Sequence, residues 1–474
     1  MSLNMRWPNV FFAGLFMVLL SSGCTEPNDL KCTGANDPTC SQFPGSICKL
    51  VSNPGDKEKW RCLPADGKCE AKVGVYLNTM ACGSEKPICG TACTNMSCDC
   101  ATCADFPAQE NQTCATAASA TPFCDKAAKR CLECGIDSGV QVGCAGTTPI
   151  CDGNKCRACA NHNDCKLGNG PGICKLPEYG VPNTGACVTA EEVTVVTTGA
   201  ELNTAINDPN KTFVQARPGM YSPILVQTAN VNKIIVGPGR EALPAAQISK
   251  DGSGSSIVFG ALGRVLFDGL RFSGNATCEK NSDLTILRSI VNTSDMVNGI
   301  DAPDTRCRSL TVGYSQIQNA SNYGIFIGQN TDYRIFDNLV IDTAKTSATS
   351  GVIINSSKKG PQIYFAFNTV TRNVNGGVKC GDASNSPELL SSIIIGNGQG
   401  AQFSGMCTLK DTATSSVTFT GSGLEPTDYR LKDTNQACCS AKTNVDPRVP
   451  TDFFGVTRGS RVSGKTDVGF AESP

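Results

Sequence analysis

Few side chains in this chain of 474 residues could carry chemistry. The best candidate for a general base is Lys379, in Gly377-Val378-Lys379-Cys380, because a positioned lysine can take a proton from a substrate. Asp301 and Asp382, with Asp304 beside the first, supply oxygens of the kind that calcium takes. Arg334 and Arg372 can bind a carboxylate. A lone lysine facing out of a sheet is, however, more often a solvated residue than a base. The one histidine, His162, sits in the polar loop Asn161-His162-Asn163-Asp164 and is expected to be solvated. A Ser-His-Asp hydrolase would need it to reach out of its own region.

The cysteines offer a second kind of chemistry. There are 29, and setting Cys24 aside leaves 22 between Cys32 and Cys187 and six between Cys278 and Cys439. Both counts are even, as they should be if each region closes its own disulfides in an oxidising compartment. Residues 25 to about 187 hold few large apolar side chains, so cross-links must replace a core there. A loose repeat runs through this stretch: Cys124, Cys131, Cys134 and Cys144 are followed by Cys151, Cys156, Cys159 and Cys165. The pairs Cys131-x-x-Cys134 and Cys156-x-x-Cys159 have near zinc-ribbon spacing. So many neighbouring cysteines favour disulfides instead. Cys98, Cys100 and Cys103 fall under the same reasoning. Cys278 with Cys307, and Cys380 with Cys407, are placed to staple neighbouring loops. Cys438-Cys439 are expected to reach separate partners.

The elements that position Asp301 and Lys379 are read from a repeat. Gly, an apolar residue, any residue and a second apolar residue recur at Gly299, Gly324, Gly351, Gly377 and Gly400, spaced 25, 27, 26 and 23 residues apart. A period in this range means stacked supersecondary units. β-Branched residues, Gly and Asn without helical periodicity make each unit a coil of strands, in a right-handed parallel β-helix. Coils are expected to start near Lys233–Val236, Val265–Phe267, Leu284–Leu287, Leu310–Val312, Ile335–Phe336, Ile363–Phe365 and Leu389–Ile395. With the flanking apolar positions inward, the intervening one faces out. That column reads Asp301, Phe326, Ile353, Lys379, Gln402: an apolar stripe with polar ends, suited to stacking sugar rings and bonding their hydroxyls. The competing possibility is that the loops Thr343–Ser350 or Ser356–Pro361 cover Phe326 and Ile353. A second column, Ser289, Ser315, Asn338, Asn368 and Ser392, can pass hydrogen bonds from rung to rung at a corner.

Several segments resemble known families. One basic residue, Arg6, the apolar run Val10–Leu20 and then Ser21-Ser22-Gly23-Cys24 resemble a bacterial lipoprotein signal with its lipobox, although Ser21 stands where that family usually has Leu. The resemblance implies cleavage before Cys24 and its acylation, and Thr25 in place of Asp implies the outer membrane or cell surface. The cysteine spacing is similar to modules at the base of bacterial surface lipoproteins. Ala200–Asn207 reads as a short helix with Leu202, Ala205 and Ile206 on one face, and Ala216-Arg217-Pro218-Gly219-Met220-Tyr221 follows. This order resembles the opening coil of pectate-lyase-like β-helix proteins, in which a short helix covers the exposed first coil. Asp428-Tyr429-Arg430-Leu431, Asp452-Phe453-Phe454-Gly455 and Asp467-Val468-Gly469-Phe470 resemble the closing segment of secreted bacterial β-helix proteins.

The expected fold is therefore all-β: a right-handed parallel β-helix with an N-terminal short-helix cap, preceded by a disulfide-rich, loop-rich region. Its expected parts are a lipoprotein-type signal over 1–23, the cysteine-rich region over 24–187, the β-helix over 188–440 and a capping segment over 441–474. Within the superfamily, polygalacturonase-type hydrolysis needs close carboxylates and a downstream histidine. Asn330-Thr331-Asp332 matches one phrase, but no Asp-Asp pair or later histidine follows. The lyase alternative, acting on a uronate-containing glycan, implies Lys379 as base and calcium or a basic residue on the substrate carboxylate; no other cofactor is implied. The first expectation is non-catalytic binding of a polysaccharide or cell-surface glycan, or adhesion; an inert surface spacer is the third. The formal net charge of −1 gives no reason to expect nucleic acid as a partner, and a membrane enters through the lipid anchor alone.

Overall fold

A computed structural model describes the chain from residue 31 to 469 apart from 34–45, 51–59, 65–67, 71–75, 78–87, 95–96, 107–108, 118–122, 128, 138–139, 168–170, 240–241, 294–297, 347–348, 382–385, 399, 416, 418, 420–425, 432–442, 445, 459–464 and 468. The signal with Cys24, Asp382 and the Cys438-Cys439 pair lie outside the described residues. Two compact units divide the chain, Met1–Arg157 and Ala158–Pro474. Among the described residues no helix is long and apolar enough to cross a membrane.

Among the described residues, the first unit is short antiparallel strands, one α-helix (Glu110–Ala117), the 3-10 turn Cys103–Asp105 and disulfides. Cys103–Cys124 and Cys114–Cys131 interlock as first-to-third and second-to-fourth cysteines of one module. Cys134–Cys151 and Cys144–Cys156 repeat that pattern. In each module the third and fourth cysteines face each other across a hairpin, Cys124 opposite Cys131 and Cys151 opposite Cys156. So the visible repeat is a repeat of connectivity, and the two Cys-x-x-Cys pairs join the end of one module to the start of the next.

A third module has the same pattern, Cys159–Cys174 and Cys165–Cys187 with Cys174 bridged to Cys187, but it belongs to the second unit. Its hairpin loop is longer and carries the turn Pro177–Tyr179.

The rest of the second unit is a parallel β-helix. Three parallel sheets of ten, eight and eight strands run its length; eight coils give one strand to each, and the first sheet has a further strand at either end. The first sheet starts at Val193–Val196 and ends at Thr408–Lys410; the second runs from Gly219–Tyr221 to Ile393–Ile395; the third runs from Ile224–Val226 to Phe403–Gly405. The expected coil starts fall on first-sheet strands, except that Leu389–Ile395 bends at Ser391-Ser392, so its two halves serve the first and second sheets. The interior is one continuous column of Val, Ile, Leu, Phe and Ala, for example Val265, Leu284, Leu310 and Ile335. The helix Gly199–Asn207 buries Leu202, Ala205 and Ile206 against it. Thr198 and Glu201 form a capping box at its start.

The glycines that mark the repeat are needed where coils touch. A Cβ on Gly299 would lie 2.3 Å from the carbonyl oxygen of Gly324, and one on Gly377 would lie 2.2 Å from that of Gln402. The expected Ser/Asn ladder is present. The N–H groups of Ser289, Ser315, Asn338 and Asn368 donate to the side chains of Ser315, Asn338, Asn368 and Ser392, at 3.0–3.1 Å. A second ladder follows the next corner, from Thr343 to Asn373 to Asn397. The disulfides Cys278–Cys307 and Cys380–Cys407 tie adjacent coils as anticipated.

The described part of the C-terminal segment lies along the flank of the solenoid. Tyr429 and Phe453 pack on the outward side chains Leu339 and Ile341. The buried guanidinium of Arg458 bonds Asp337 and stacks 4.0 Å over the Phe367 ring.

Candidate functional site

Strand register decides which side chains share the outer face of the third sheet. Asp301 pairs with Phe326, Phe326 with Ile353 and Ile353 with Lys379. Their side chains form one outward column, with Asp301, Phe326 and Ile353 half-buried and Lys379 exposed. The next member is Ser404, not Gln402. The last coil is shorter: its third-sheet strand begins at Phe403, opposite Val378, and Gly400 sits in the turn before it. That glycine answers a different need, since a Cβ there would lie 1.5 Å from the carbonyl oxygen of Asn375. Gln402 instead turns to Asn397, accepting from its N–H and side-chain amide at 3.2 and 2.9 Å, and so ends the second ladder.

Beside Phe326, at a ring-centroid distance of 5.2 Å, is Tyr323, which the sequence reading did not single out. It lies three residues earlier on the same strand, and a Tyr preceding the repeat glycine was the available signal. The two rings and Asp301 border an open cleft of about 560 Å3 that also reaches Glu279, Asp304 and Arg306. Asn298 donates its amide to Asp301 at 3.0 Å, and the Tyr323 hydroxyl bonds the same carboxylate. Burial pushes the Asp301 carboxyl above its ordinary range despite these bonds. Burial and the charge of Asp301 push the Tyr323 phenol well up, so it remains a donor.

The other candidates are dispersed. Asp304 accepts the Gln329 N–H at 2.5 Å, which uses one oxygen in holding a turn. Arg306 and Glu279 pair at 3.3 Å. Arg334 is on the first sheet and donates to the Gln362 carbonyl. Arg372 follows a second-sheet strand and pairs with Asp342 and the Tyr429 hydroxyl. Neither arginine shares a face with Lys379, which lies three strands from Asp301, about 14 Å at the usual strand spacing.

His162 is not a solvated loop residue. Its Nδ1 accepts the Cys174 N–H at 3.1 Å, and its Nε2 lies 2.9 Å from the Tyr179 hydroxyl. Tyr179 donates in turn to Asp268 at 2.7 Å, and Arg288 bonds both oxygens of that carboxylate. Burial alone would raise Asp268, but the Arg288 guanidinium and His162 hold it well below the usual carboxylate range. The same burial, with the Asp268 charge, pushes the Tyr179 phenol well up. The long hairpin loop of the third cysteine module thus brings Tyr179 to the β-helix, and His162, from the stretch between Cys159 and Cys165, reaches it through the Tyr179 hydroxyl.

Among the described residues, the groups of three possible metal ligands are all cysteines, and every one of those cysteines is in a disulfide. Comparison with protein-family models, with curated proteins and with solved structures yields no match to this chain.

Proposed function

We propose that this is an exported, lipid-anchored surface protein whose third sheet binds a polysaccharide or cell-surface glycan without transforming it. The observation that carries this reading is the register-locked column Asp301–Phe326–Ile353 with Tyr323 beside it. Two neighbouring aromatic rings supply apolar faces for sugar rings, and the flanking carboxylate and amide groups bond hydroxyls. The lysine at the far end binds an acidic group if the glycan has one. The position of Lys379 weighs against a lyase: a base and a cation held by Asp301, about 14 Å apart, would not serve the same sugar unit. Export is supported by the signal-like run Val10–Leu20 and by the disulfide modules, which persist in oxidising compartments. Cys24 is the proposed acylation site, and the superfamily is that of pectate-lyase-like β-helices.

The test is retention of the full-length protein on a panel of acidic and neutral glycans, with mass spectrometry of the eluted sugars. Retention without new products is expected. Unsaturated oligosaccharides would replace the binding reading with the lyase, and no retention on any glycan would leave the spacer. Cys24→Ala is expected to move the protein from the membrane fraction to the soluble one.

A further inference from the structure

A second cleft, of about 380 Å3, lies where the third cysteine module meets the first coils of the β-helix. Asn161, His162, Asn163 and Lys166 line it from the module, and Arg217 and Arg288 from the β-helix. Its size is that of a small-molecule site, and no part of it touches the column on the third sheet.

The charges are unequal. Arg288 is engaged by Asp268, whereas neither Lys166 nor Arg217 has a carboxylate partner among the described residues. Arg288 lies between Asp268 and Glu178, the latter at 3.8 Å, so its charge is spent within the floor. Among the described residues, the cations left without an ion-pair partner at the opening are Lys166 and Arg217. The His162–Tyr179–Asp268–Arg288 chain fixes the cleft's floor, because each member is held by the next. The backbone N–H groups of Gly237 and Gly239, which also border it, are already bonded to Asp268 and Gly269 carbonyls. Anion recognition there falls to side chains: a guanidinium that can grip two oxygens and an ammonium that acts as a point charge.

We infer that this cleft binds the phosphate or sulfate ester of a small organic ligand, with Arg217 and Lys166 gripping the oxyanion and Asn161, Asn163 and His162 facing the rest of the molecule. A free ion would leave most of the cleft empty, since one water's share of volume is about 30 Å3. The inference is independent of glycan binding by the third sheet.

The test is calorimetric titration of the full-length protein with glucose 6-phosphate, glucose 6-sulfate, inorganic phosphate, inorganic sulfate and glucose. At least one of the two esters is expected to bind at least tenfold more tightly than its inorganic ion, and glucose is expected not to bind. Which ester binds more tightly distinguishes phosphate from sulfate as the ligand's group. Arg217→Gln and Lys166→Gln should each weaken ester binding tenfold or more, and added salt should weaken it further. Phe326→Ala, in the third-sheet column, should leave it unchanged. Failure of both esters to bind, or binding unaltered in both cleft variants, would overturn the inference. Inorganic ions binding as tightly as their esters would reduce the cleft to an adventitious charge patch and overturn it equally.

Discussion

Tyr179 donates its hydroxyl to Asp268 at 2.7 Å, joining residues 89 positions apart in sequence. The bond fastens the last disulfide module to the outer face of the first sheet. There the outward side chains Ile234 and Leu266 are as deeply buried as the interior. A solenoid strand has two faces, and only one can point into the core. Here the first sheet's outer face near the start is covered by the third module. In later coils the outer side of the second-sheet strand Leu339–Ile341 is covered by the C-terminal segment through Tyr429 and Phe453, with Arg458 bonded to Asp337 beside it. The third sheet keeps an open outer face, and that is where the candidate glycan column lies.

Asp268→Asn should loosen the module. Removing one partner of a buried ion pair typically costs about 3–5 kcal/mol, and the low end applies because the Arg288 side chain is 28% exposed. The carboxyl is depressed in the folded state, so its stabilisation is present above the ordinary carboxylate pKa of about 4 and fades as pH falls below it. Faster amide exchange over residues 171–188 at neutral pH, converging with wild type in acid, is the expected readout. Equal exchange at every pH would remove Asp268 as the anchor.

The ladders make a graded prediction. Asn368 accepts from the Asn338 N–H and side-chain amide, and donates to the carbonyls of Ile335 and Ala366. Asn368→Ala strands the buried Asn338 N–H, at a cost of about 1–3 kcal/mol for that group alone, plus the cavity. Ser392→Ala also strands one N–H, that of Asn368, but leaves a smaller cavity. Denaturant titration should rank Asn368→Ala well below Ser392→Ala and both below wild type. The reverse order would mean that the ladder is not what holds the corner.

Much of this was legible because a parallel β-helix writes its period into the chain. Gly299, Gly324, Gly351 and Gly377 recur because coils touch there, and the Ser289-to-Ser392 column recurs because each corner strands the same backbone group. Gly400 misled for the same reason: a glycine at nearly the right spacing served a turn, and the two-residue offset exchanged Gln402 for Ser404. Tyr323 was missed because its position in the coil is not repeated by type. His162 could not be placed at all, since Tyr179 is carried on a long hairpin loop whose path no local pattern encodes, and Asp268 lies 89 residues further on in the β-helix. The β-helix pairs Cys278–Cys307 and Cys380–Cys407 were legible from their places ahead of successive coils, but the pairing within the cysteine modules was not, because spacing alone does not distinguish interlocked from sequential bridges.

Asp301 should behave in the opposite sense to Asp268. Its carboxyl is raised by burial, so the folded state is penalised once pH exceeds the ordinary carboxylate range and the group ionises. Asp301→Asn keeps an acceptor for Tyr323 and removes the charge. The variant should melt higher than wild type at neutral pH and at the same temperature as wild type below about pH 4. Its glycan retention should fall, because a stability cost at an exposed cleft is tolerated where the charged group serves a ligand. A neutral-pH melting temperature at or below that of wild type would mean that the bonds from Asn298 and Tyr323 outweigh the desolvation.

Phe326→Ala separates binding from folding most directly. The ring is half-buried on the outer face, its nearest aromatic neighbour is Tyr323, and the interior column of Ile300, Ile325 and Val352 is untouched by its loss. Stability should therefore change little, while a stacked sugar loses an aromatic contact worth about 0.5–1.5 kcal/mol, roughly two- to tenfold in affinity. Lys379→Ala, at the far end of the column, should weaken acidic glycans and leave neutral ones alone, more so at low salt. Tyr323→Phe keeps the ring but frees Asp301 of one donor, so it should alter the pH dependence of retention more than its strength. If Phe326→Ala binds every retained glycan as wild type does, the outward column is not the binding face, whatever else the protein holds.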